Sequence, residues 1–116
     1  MSLDLFAGMY VRDYEAAKDW YSRLLGEPTY IASETEAVWE LADNRFVAIE
    51  QNAERAGHGI QTIFVDDFDD RVAQIAERGI EPVKRETYSN GVRKALYRDP
   101  DGNEIGFGGA PSQPRP

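Results

Sequence analysis

Residues 11–28 read VRDYEAAKDWYSRLLGEP, and residues 65–82 read VDDFDDRVAQIAERGIEP. In both stretches a valine ends an apolar run, an aspartate follows two residues later, and a helical pattern runs on to a glycine and a proline. Val11 and Pro28 match Val65 and Pro82 at one constant offset of 54 residues (65 − 11 and 82 − 28). Because the valine, aspartate, helical pattern, glycine and proline follow in the same order and at nearly the same spacing in both stretches, the sequence indicates an internal repeat of one supersecondary unit.

Each copy of the repeat predicts one amphipathic helix. Asp13 and Asp67 precede the helical patterns, where a carboxylate accepts hydrogen bonds from the first turn, so both are predicted N-caps. Gly26 and Gly79 are predicted to end the helices. Apolar residues at helical spacing predict one buried face per helix. These residues are Tyr14, Ala17, Tyr21, Leu24 and Leu25 in the first copy and Phe68, Val72, Ile75 and Ala76 in the second.

One strand-like run precedes each predicted helix, and three follow it. The runs are residues 5–11, 29–33, 37–41 and 45–51 in unit one and residues 59–65, 83–87, 92–97 and 104–107 in unit two. Tight turns are predicted at Asp43-Asn44, at Asn90-Gly91 and at residues 99–103. The sequence therefore predicts an α+β fold of two tandem β-α-β-β-β units. We expect a single domain over residues 1–116, with unit one at about 4–51, unit two at about 58–109 and a disordered tail at 110–116.

Composition narrows the possible functions. The chain has 116 residues, which is enough for one hydrophobic core. Its net charge of −8 argues against binding nucleic acid through the phosphates. The absence of cysteine excludes disulfides, thiolate nucleophiles and zinc–sulfur sites. Without an apolar run long enough for a membrane or a signal-peptide pattern, we expect a soluble protein in a reducing cytoplasm.

Three segments resemble the glyoxalase/bleomycin-resistance/dioxygenase (vicinal oxygen chelate) superfamily. Residues 11–26 are similar to its first strand and helix, residues 64–68 to the second copy of that strand and cap, and residues 99–105 (DPDGNEI) to its turn into the last strand. The resemblance covers nearly the whole chain before the tail. It implies two units whose curved mixed sheets surround a shared cavity, in a protein that often forms a homodimer.

The resemblance also implies where a metal would bind. Metal-dependent members hold a divalent ion with His and Glu side chains from the first and last strands of each unit. The first-strand positions are here Phe6 and Ile60, and the last-strand position of unit two is Gly106. Its counterpart in unit one is expected at Ala48, within one or two residues. None of these four side chains can coordinate a metal.

Nearby residues do not restore such a site. His58 is the only histidine and is expected to be a solvated linker residue. Glu50 and Glu104 each share a strand face with an expected ligand position, but a catalytic zinc site takes about three protein ligands. We therefore predict no metal, no cofactor and no catalytic residue. Cys–His chemistry is excluded by the lack of cysteine, and residues 106–109 (GFGG) precede a proline-rich tail instead of the helix of a phosphate loop.

The residue types at the empty metal positions favour an apolar binding pocket. The residues expected to contact a ligand are Phe6, Tyr10, Trp39, Glu50, Phe64 and Tyr97. The sequence predicts a metal-free binding protein of the bleomycin-resistance type, which sequesters a small aromatic or cationic compound such as an antibiotic. Two alternatives stay open. One is a superfamily enzyme (a lyase, dioxygenase or thiol transferase) with an atypical metal site, and the other is a structural or interaction domain with a collapsed cavity.

Overall fold

The computed structural model describes residues 3–111 of the chain. These residues form two helices and eight strands in two mixed four-stranded sheets, which confirms the predicted α+β class. The elements are β1 (Leu5–Val11), α1 (Tyr14–Leu25), β2 (Tyr30–Ser33), β3 (Glu36–Ala42), β4 (Arg45–Gln51), β5 (Ile60–Val65), α2 (Phe68–Glu77), β6 (Lys84–Thr87), β7 (Arg93–Arg98) and β8 (Glu104–Gly109). None of the described helices is long and apolar enough to cross a membrane.

The two sheets have the same strand order. The first is β1-β4-β3-β2 and the second is β5-β8-β7-β6, and in each the outer strand before the helix pairs parallel with the last strand. A parallel pair needs a long crossover connection, which the helix and the two following strands supply. The chain forms two compact units: unit 1 consists of residues 3–59 and 99–103, and unit 2 of residues 60–98 and 104–111. Most of the predicted tail, residues 112–116, lies outside the described residues.

In unit 1, helix α1 packs on one face of its sheet. The Asp13 side chain accepts a hydrogen bond from the backbone N–H of Ala16, as its predicted role as N-cap requires. Tyr21 on the buried side of α1 lies with its ring centroid 6.0 Å from that of Trp39 on β3. The indole N–H of Trp39 donates to the carbonyl of Gly26, which has φ +93° at the end of the helix. We call the opposite face, which α1 does not cover, the distal face of unit 1.

In unit 2, helix α2 packs against β7 and β8. Phe68 contacts Gly109, and the guanidinium of Arg71 lies 5.6 Å from the ring centroid of Phe107. The predicted capping role of Asp67 needs a correction: its side chain makes no hydrogen bond to the backbone of the first turn. The carboxylate instead accepts a hydrogen bond of 3.2 Å from Arg71, one turn along the helix. The face of this sheet opposite α2 is the distal face of unit 2.

Candidate functional site

Unit 1 contains a cavity of about 400 Å³ at the end of β1. Gly8, Met9 and Tyr10 of β1 form one wall. The segment between β4 and β5 forms the rest of the lining with Glu54, Arg55, His58 and Gly59. The cavity therefore combines an aromatic ring with acidic, basic and imidazole groups.

Asn103 fixes the two walls of this cavity to each other. Its side-chain amide donates to the carbonyl of Tyr10 at 2.8 Å, and its side-chain oxygen accepts from the N–H of Gly59 at 2.7 Å. Gly59 must lack a side chain here, since a Cβ would lie 2.8 Å from Met9 Cγ and 2.9 Å from Asn103 Oδ1. A buried amide that satisfies one backbone group on each wall therefore links the two walls.

Asp99 holds Asn103 in place. One carboxylate oxygen of Asp99 accepts from the side-chain amide of Asn103 and from the hydroxyl of Tyr21, both at 2.8 Å. The other oxygen accepts from the N–H groups of Asp101 and Asn103, both at 2.9 Å. Burial of the Tyr21 phenol, together with the nearby Asp99 carboxylate, raises its pKa well above the usual 10. Tyr21 therefore acts as a hydrogen-bond donor at any physiological pH.

Charged groups of both signs surround the Tyr10 ring. The guanidinium of Arg55 lies 5.3 Å from its centroid, a cation–π contact. Glu50 is the register partner of Tyr10 in the parallel β1–β4 pair, so the two side chains share the distal face. By the β3–β4 register, Glu36 and Glu40 lie on this face as well. The strands of unit 1 place no Lys or Arg there, so the distal face is acidic.

Three of the predicted ligand-binding residues lie on one face of the first sheet. Phe6, Tyr10 and Glu50 lie on the distal face of unit 1, and Tyr10 lines the cavity. The Phe6 ring lies 6.0 Å from that of Phe46 on β4. Phe64 lies on the distal face of unit 2, where its ring rests on Gly108. The cavity shared by both units, which the resemblance implies, stays a prediction.

The last two predicted ligand-binding residues, Trp39 and Tyr97, lie on the helix sides of their sheets instead of the distal faces. Trp39 is 2% exposed beneath α1, and Tyr97 is fully buried on the helix side of its sheet, 5.9 Å from the Phe107 ring. The hydroxyl of Tyr97 has no hydrogen-bond partner among the described residues, and burial raises its pKa despite the opposing effect of Arg85. Both residues belong to the hydrophobic core, so we leave them out of the proposed site.

The residues present do not fit the metal of metal-dependent members. Gly8 pairs with Ala48, and Thr62, which is 54 residues after Gly8, pairs with Gly106, so Ala48 and Gly106 are equivalent, as expected. Neither residue offers a donor atom, and Phe6 and Ile60 offer none either. No group of three or more His, Asp or Glu side chains in residues 3–111 is arranged to hold a metal ion.

Sequence reasoning missed part of the cavity. His58 is exposed, as expected of a linker residue, but it lines the cavity together with Glu54 and Arg55. Three ionisable side chains within five residues, beside Gly57 and Gly59, were the available signal. The signal was weak because a polar linker ordinarily has such a composition.

Comparisons with known proteins agree on the family. The profile of the Glyoxalase/Bleomycin resistance protein/Dioxygenase superfamily matches residues 3–107. A solved glyoxalase / bleomycin resistance protein from Catenulispora acidiphila DSM 44928 is 53% identical, with a TM-score of 0.91, and the match covers 95% of this chain and 100% of that one. No curated protein matches the chain significantly.

Two more distant structures share the fold. A bleomycin-binding protein complexed with bleomycin is 15% identical with a TM-score of 0.74, over 97% of this chain and 100% of that one. A lactoylglutathione lyase from Agrobacterium tumefaciens is 20% identical with a TM-score of 0.73, over 94% of each chain. One of these proteins is named for binding and the other for catalysis, so the fold alone does not choose between the two activities.

Proposed function

The chain belongs to the glyoxalase/bleomycin resistance protein/dioxygenase superfamily, and we propose that it is a metal-independent binding protein that sequesters a small aromatic or cationic compound, such as an antibiotic. The cavity of unit 1 carries this proposal. Its volume of about 400 Å³ lies within the usual range of small-molecule sites. The four positions expected to hold a metal supply no donor atoms, which favours binding over metal-dependent catalysis.

Tyr10 is the proposed aromatic contact of the ligand. Its ring already has a cation above it, because the guanidinium of Arg55 lies 5.3 Å from the centroid. A ligand with a cationic aromatic ring can replace Arg55, which is exposed and free to turn towards solvent. Stacking and cation–π contacts of this kind contribute about 1 kcal/mol each.

Glu50 is the proposed source of charge preference. It lies beside Tyr10 on the acidic distal face of unit 1, and it is exposed. An exposed carboxylate adds little affinity through a single ion pair, but it favours cations and makes their association depend on salt. Phe6, on the same face, extends the apolar surface available to a flat ligand.

The experiment is a thermal-shift screen of metal-free protein against aromatic cations, with thioflavin T as the first probe and bleomycin included because a protein of the same fold binds it. Binding of the best compound is then measured by calorimetry in Tyr10→Leu and Glu50→Gln. Glu15→Gln removes the same charge from helix α1 and serves as the control. We expect about fivefold weaker binding for Tyr10→Leu, a reduced salt dependence for Glu50→Gln and no change for Glu15→Gln.

Two results would contradict the proposal. The first is stabilisation of the protein by a divalent metal with turnover of a substrate. The second is binding that neither Tyr10→Leu nor Glu50→Gln alters while both variants stay folded.

A homodimer is part of the same proposal. Tyr30 and Ile31 of the edge strand β2 are 48% and 53% exposed, and an unpaired strand edge with exposed apolar side chains supports an interaction surface. A two-fold interface buries the same patch of both copies. Sedimentation equilibrium of the parent and of Ile31→Ser tests the idea, since a monomeric parent at micromolar concentration is incompatible with it.

A further inference from the structure

We propose that Lys94 forms an anion-binding site on the distal face of unit 2, which takes the carboxylate, sulfonate or phosphate of an aromatic compound. This site goes beyond the cavity proposed for unit 1, and it has the opposite charge preference. The two sites lie in different units and are tested with different probes.

The side chain of Lys94 lies across a glycine. A Cβ added at Gly106 would lie 2.6 Å from Cε of Lys94 and 3.6 Å from its ammonium nitrogen. Gly106 is buried although it lies on the distal face, which agrees with a lysine stem that covers it. The absence of a side chain at this position is therefore what allows Lys94 to lie flat along the sheet.

Lys94 has no carboxylate partner in the part of the chain that the structure describes. Glu86 is its register partner across β6 and β7, but the Glu86 carboxylate lies 3.8 Å from the ammonium of Lys84. The other acid of this face, Glu104, pairs with Arg98 at 2.9 Å. Lys84 and Arg98, two of the three cations on this face, are therefore paired with carboxylates, whereas the ammonium of Lys94 is not.

Polar and apolar groups beside Lys94 complete the site. The hydroxyl of Thr62 lies 3.5 Å from the point where a Gly106 Cβ would be, against 3.6 Å for the ammonium, so both groups converge on the same spot. A hydroxyl that borders the same spot as the ammonium supplies a second donor to an oxyanion bound there. Phe64, two residues along β5, is 76% exposed on the same face and offers a ring to the organic part of the ligand.

The charge of the whole protein sharpens this inference. At a net charge of −8, the chain repels anions at long range, so an anion bound here must be held by local contacts. A half-buried lysine without a carboxylate partner, beside the Thr62 hydroxyl and the Phe64 ring, provides the local contact that an aromatic monoanion needs.

The experiment uses anilinonaphthalene sulfonate as the anionic probe and phenylnaphthylamine as its uncharged counterpart, both titrated by fluorescence into folded protein. Lys94→Gln removes the charge and keeps a flexible polar side chain that is one atom shorter. Gly106→Ala keeps the charge but pushes the lysine stem off the sheet. Lys18→Gln, on helix α1 of unit 1, makes the same change of net charge elsewhere.

We expect Lys94→Gln to weaken binding of the sulfonate about fivefold and to leave binding of the uncharged amine unchanged. Gly106→Ala should weaken binding of the sulfonate by a smaller factor, and Lys18→Gln should leave its binding unchanged.

The proposal is overturned if Lys94→Gln binds the sulfonate as tightly as the parent does, or if Lys18→Gln weakens binding by the same factor. If Lys94→Gln does not fold, unchanged sulfonate binding in Gly106→Ala overturns it. A cation that binds in the unit 1 cavity should be insensitive to both unit 2 variants, so the two proposals fail separately.

Discussion

The two units share their strand order, but a buried tyrosine hydroxyl of unit 1 has a hydrogen-bond partner that a buried tyrosine hydroxyl of unit 2 lacks. In unit 1 the hydroxyl of Tyr21 donates to Asp99 at 2.8 Å, inside a network that also holds Asn103. In unit 2 the hydroxyl of Tyr97 is buried without a partner among the described residues, as is the hydroxyl of Tyr14 in unit 1. The repeat therefore determines the strand order, whereas the polar contacts of a buried hydroxyl depend on its own position.

The distal faces of the two units also differ, in the charged side chains that they carry. The strands of unit 1 place Glu36, Glu40 and Glu50 there without a single basic residue. In unit 2, Lys94 remains as an unpaired cation on the equivalent face. One sheet architecture thus presents two surfaces of opposite charge, and ligand preference resides in side chains that the repeat leaves free to vary.

Replacing the buried carboxylate of unit 1 should destabilise the protein more than any other change proposed below. Asp99→Ala leaves the Tyr21 hydroxyl, the Asn103 amide and two backbone N–H groups without their acceptor. Unsatisfied buried donors each cost about 1–3 kcal/mol, so we expect a loss of at least about 3 kcal/mol in the free energy of unfolding. Urea denaturation measures it, with the exposed Asp66→Ala as the control.

Asp99→Ala should also weaken any ligand of the cavity, because Asp99 holds Asn103 and Asn103 holds both cavity walls. A loss of stability below about 1 kcal/mol would show that the network is not the main difference between the units.

Much of the fold could be predicted because local signals and tertiary pairing agree. The bounds of β1 and β4 match the prediction, since alternating apolar residues and the Asp43-Asn44 turn define them. Strand β8 runs two residues further than predicted, to Gly109, because pairing with β5 supplies hydrogen bonds that compensate for the low strand propensity of glycine.

The candidate site was harder to predict. Alternation shows that Trp39 shares a face with Ala37, but the pairing with Val47 decides that this face lies under α1. The cavity lining at Arg55 and His58 depends on Asn103, which bonds Gly59 across 44 residues of sequence. Single-sequence patterns do not contain contacts of that range.

The second prediction compares the two tyrosines directly. Tyr21→Phe should lower the free energy of unfolding by about 1.5–2 kcal/mol, because the buried Asp99 loses a donor. Tyr97→Phe should be neutral or slightly stabilising, since it removes a buried hydroxyl that has no partner. Parallel urea denaturation at neutral pH checks the pair. Equal losses in both variants would mean that Tyr97 has a partner in solution.

The third prediction concerns alkaline pH, where the two tyrosines should behave alike. Both have pKa values raised above the usual 10 in the folded state, so the unfolded chain releases these protons first as pH rises. Below about pH 10 neither tyrosine makes the stability depend on pH. Above it the free energy of unfolding falls as the unfolded chain ionises, by up to about 1.4 kcal/mol per pH unit for the strongly shifted Tyr21 and by less for Tyr97. Either Phe variant should flatten the decline between pH 10 and 11, measured by urea denaturation. An unchanged slope in Tyr97→Phe would contradict the raised pKa of that residue.

The fourth prediction compares the free energy that Asp13 and Asp67 contribute at the starts of the two helices. These residues are 54 positions apart, and the difference between them should be small. The Asp13 carboxylate accepts from the backbone N–H of Ala16, so Asp13→Ala should cost about 1 kcal/mol. The Asp67 carboxylate pairs with Arg71 at a partly exposed position, and Asp67→Ala should cost only about 0.3 kcal/mol. Asp13→Asn and Asp67→Asn add a control, because asparagine caps a helix as well as aspartate does but forms no ion pair. Asp13→Asn should therefore keep the stability of the parent, whereas Asp67→Asn should lose as much as Asp67→Ala. Added salt should reduce only the contribution of Asp67 to the free energy of unfolding. Rescue at both positions would mean that Asp67 caps its helix in solution, and the two units would then begin their helices in the same way.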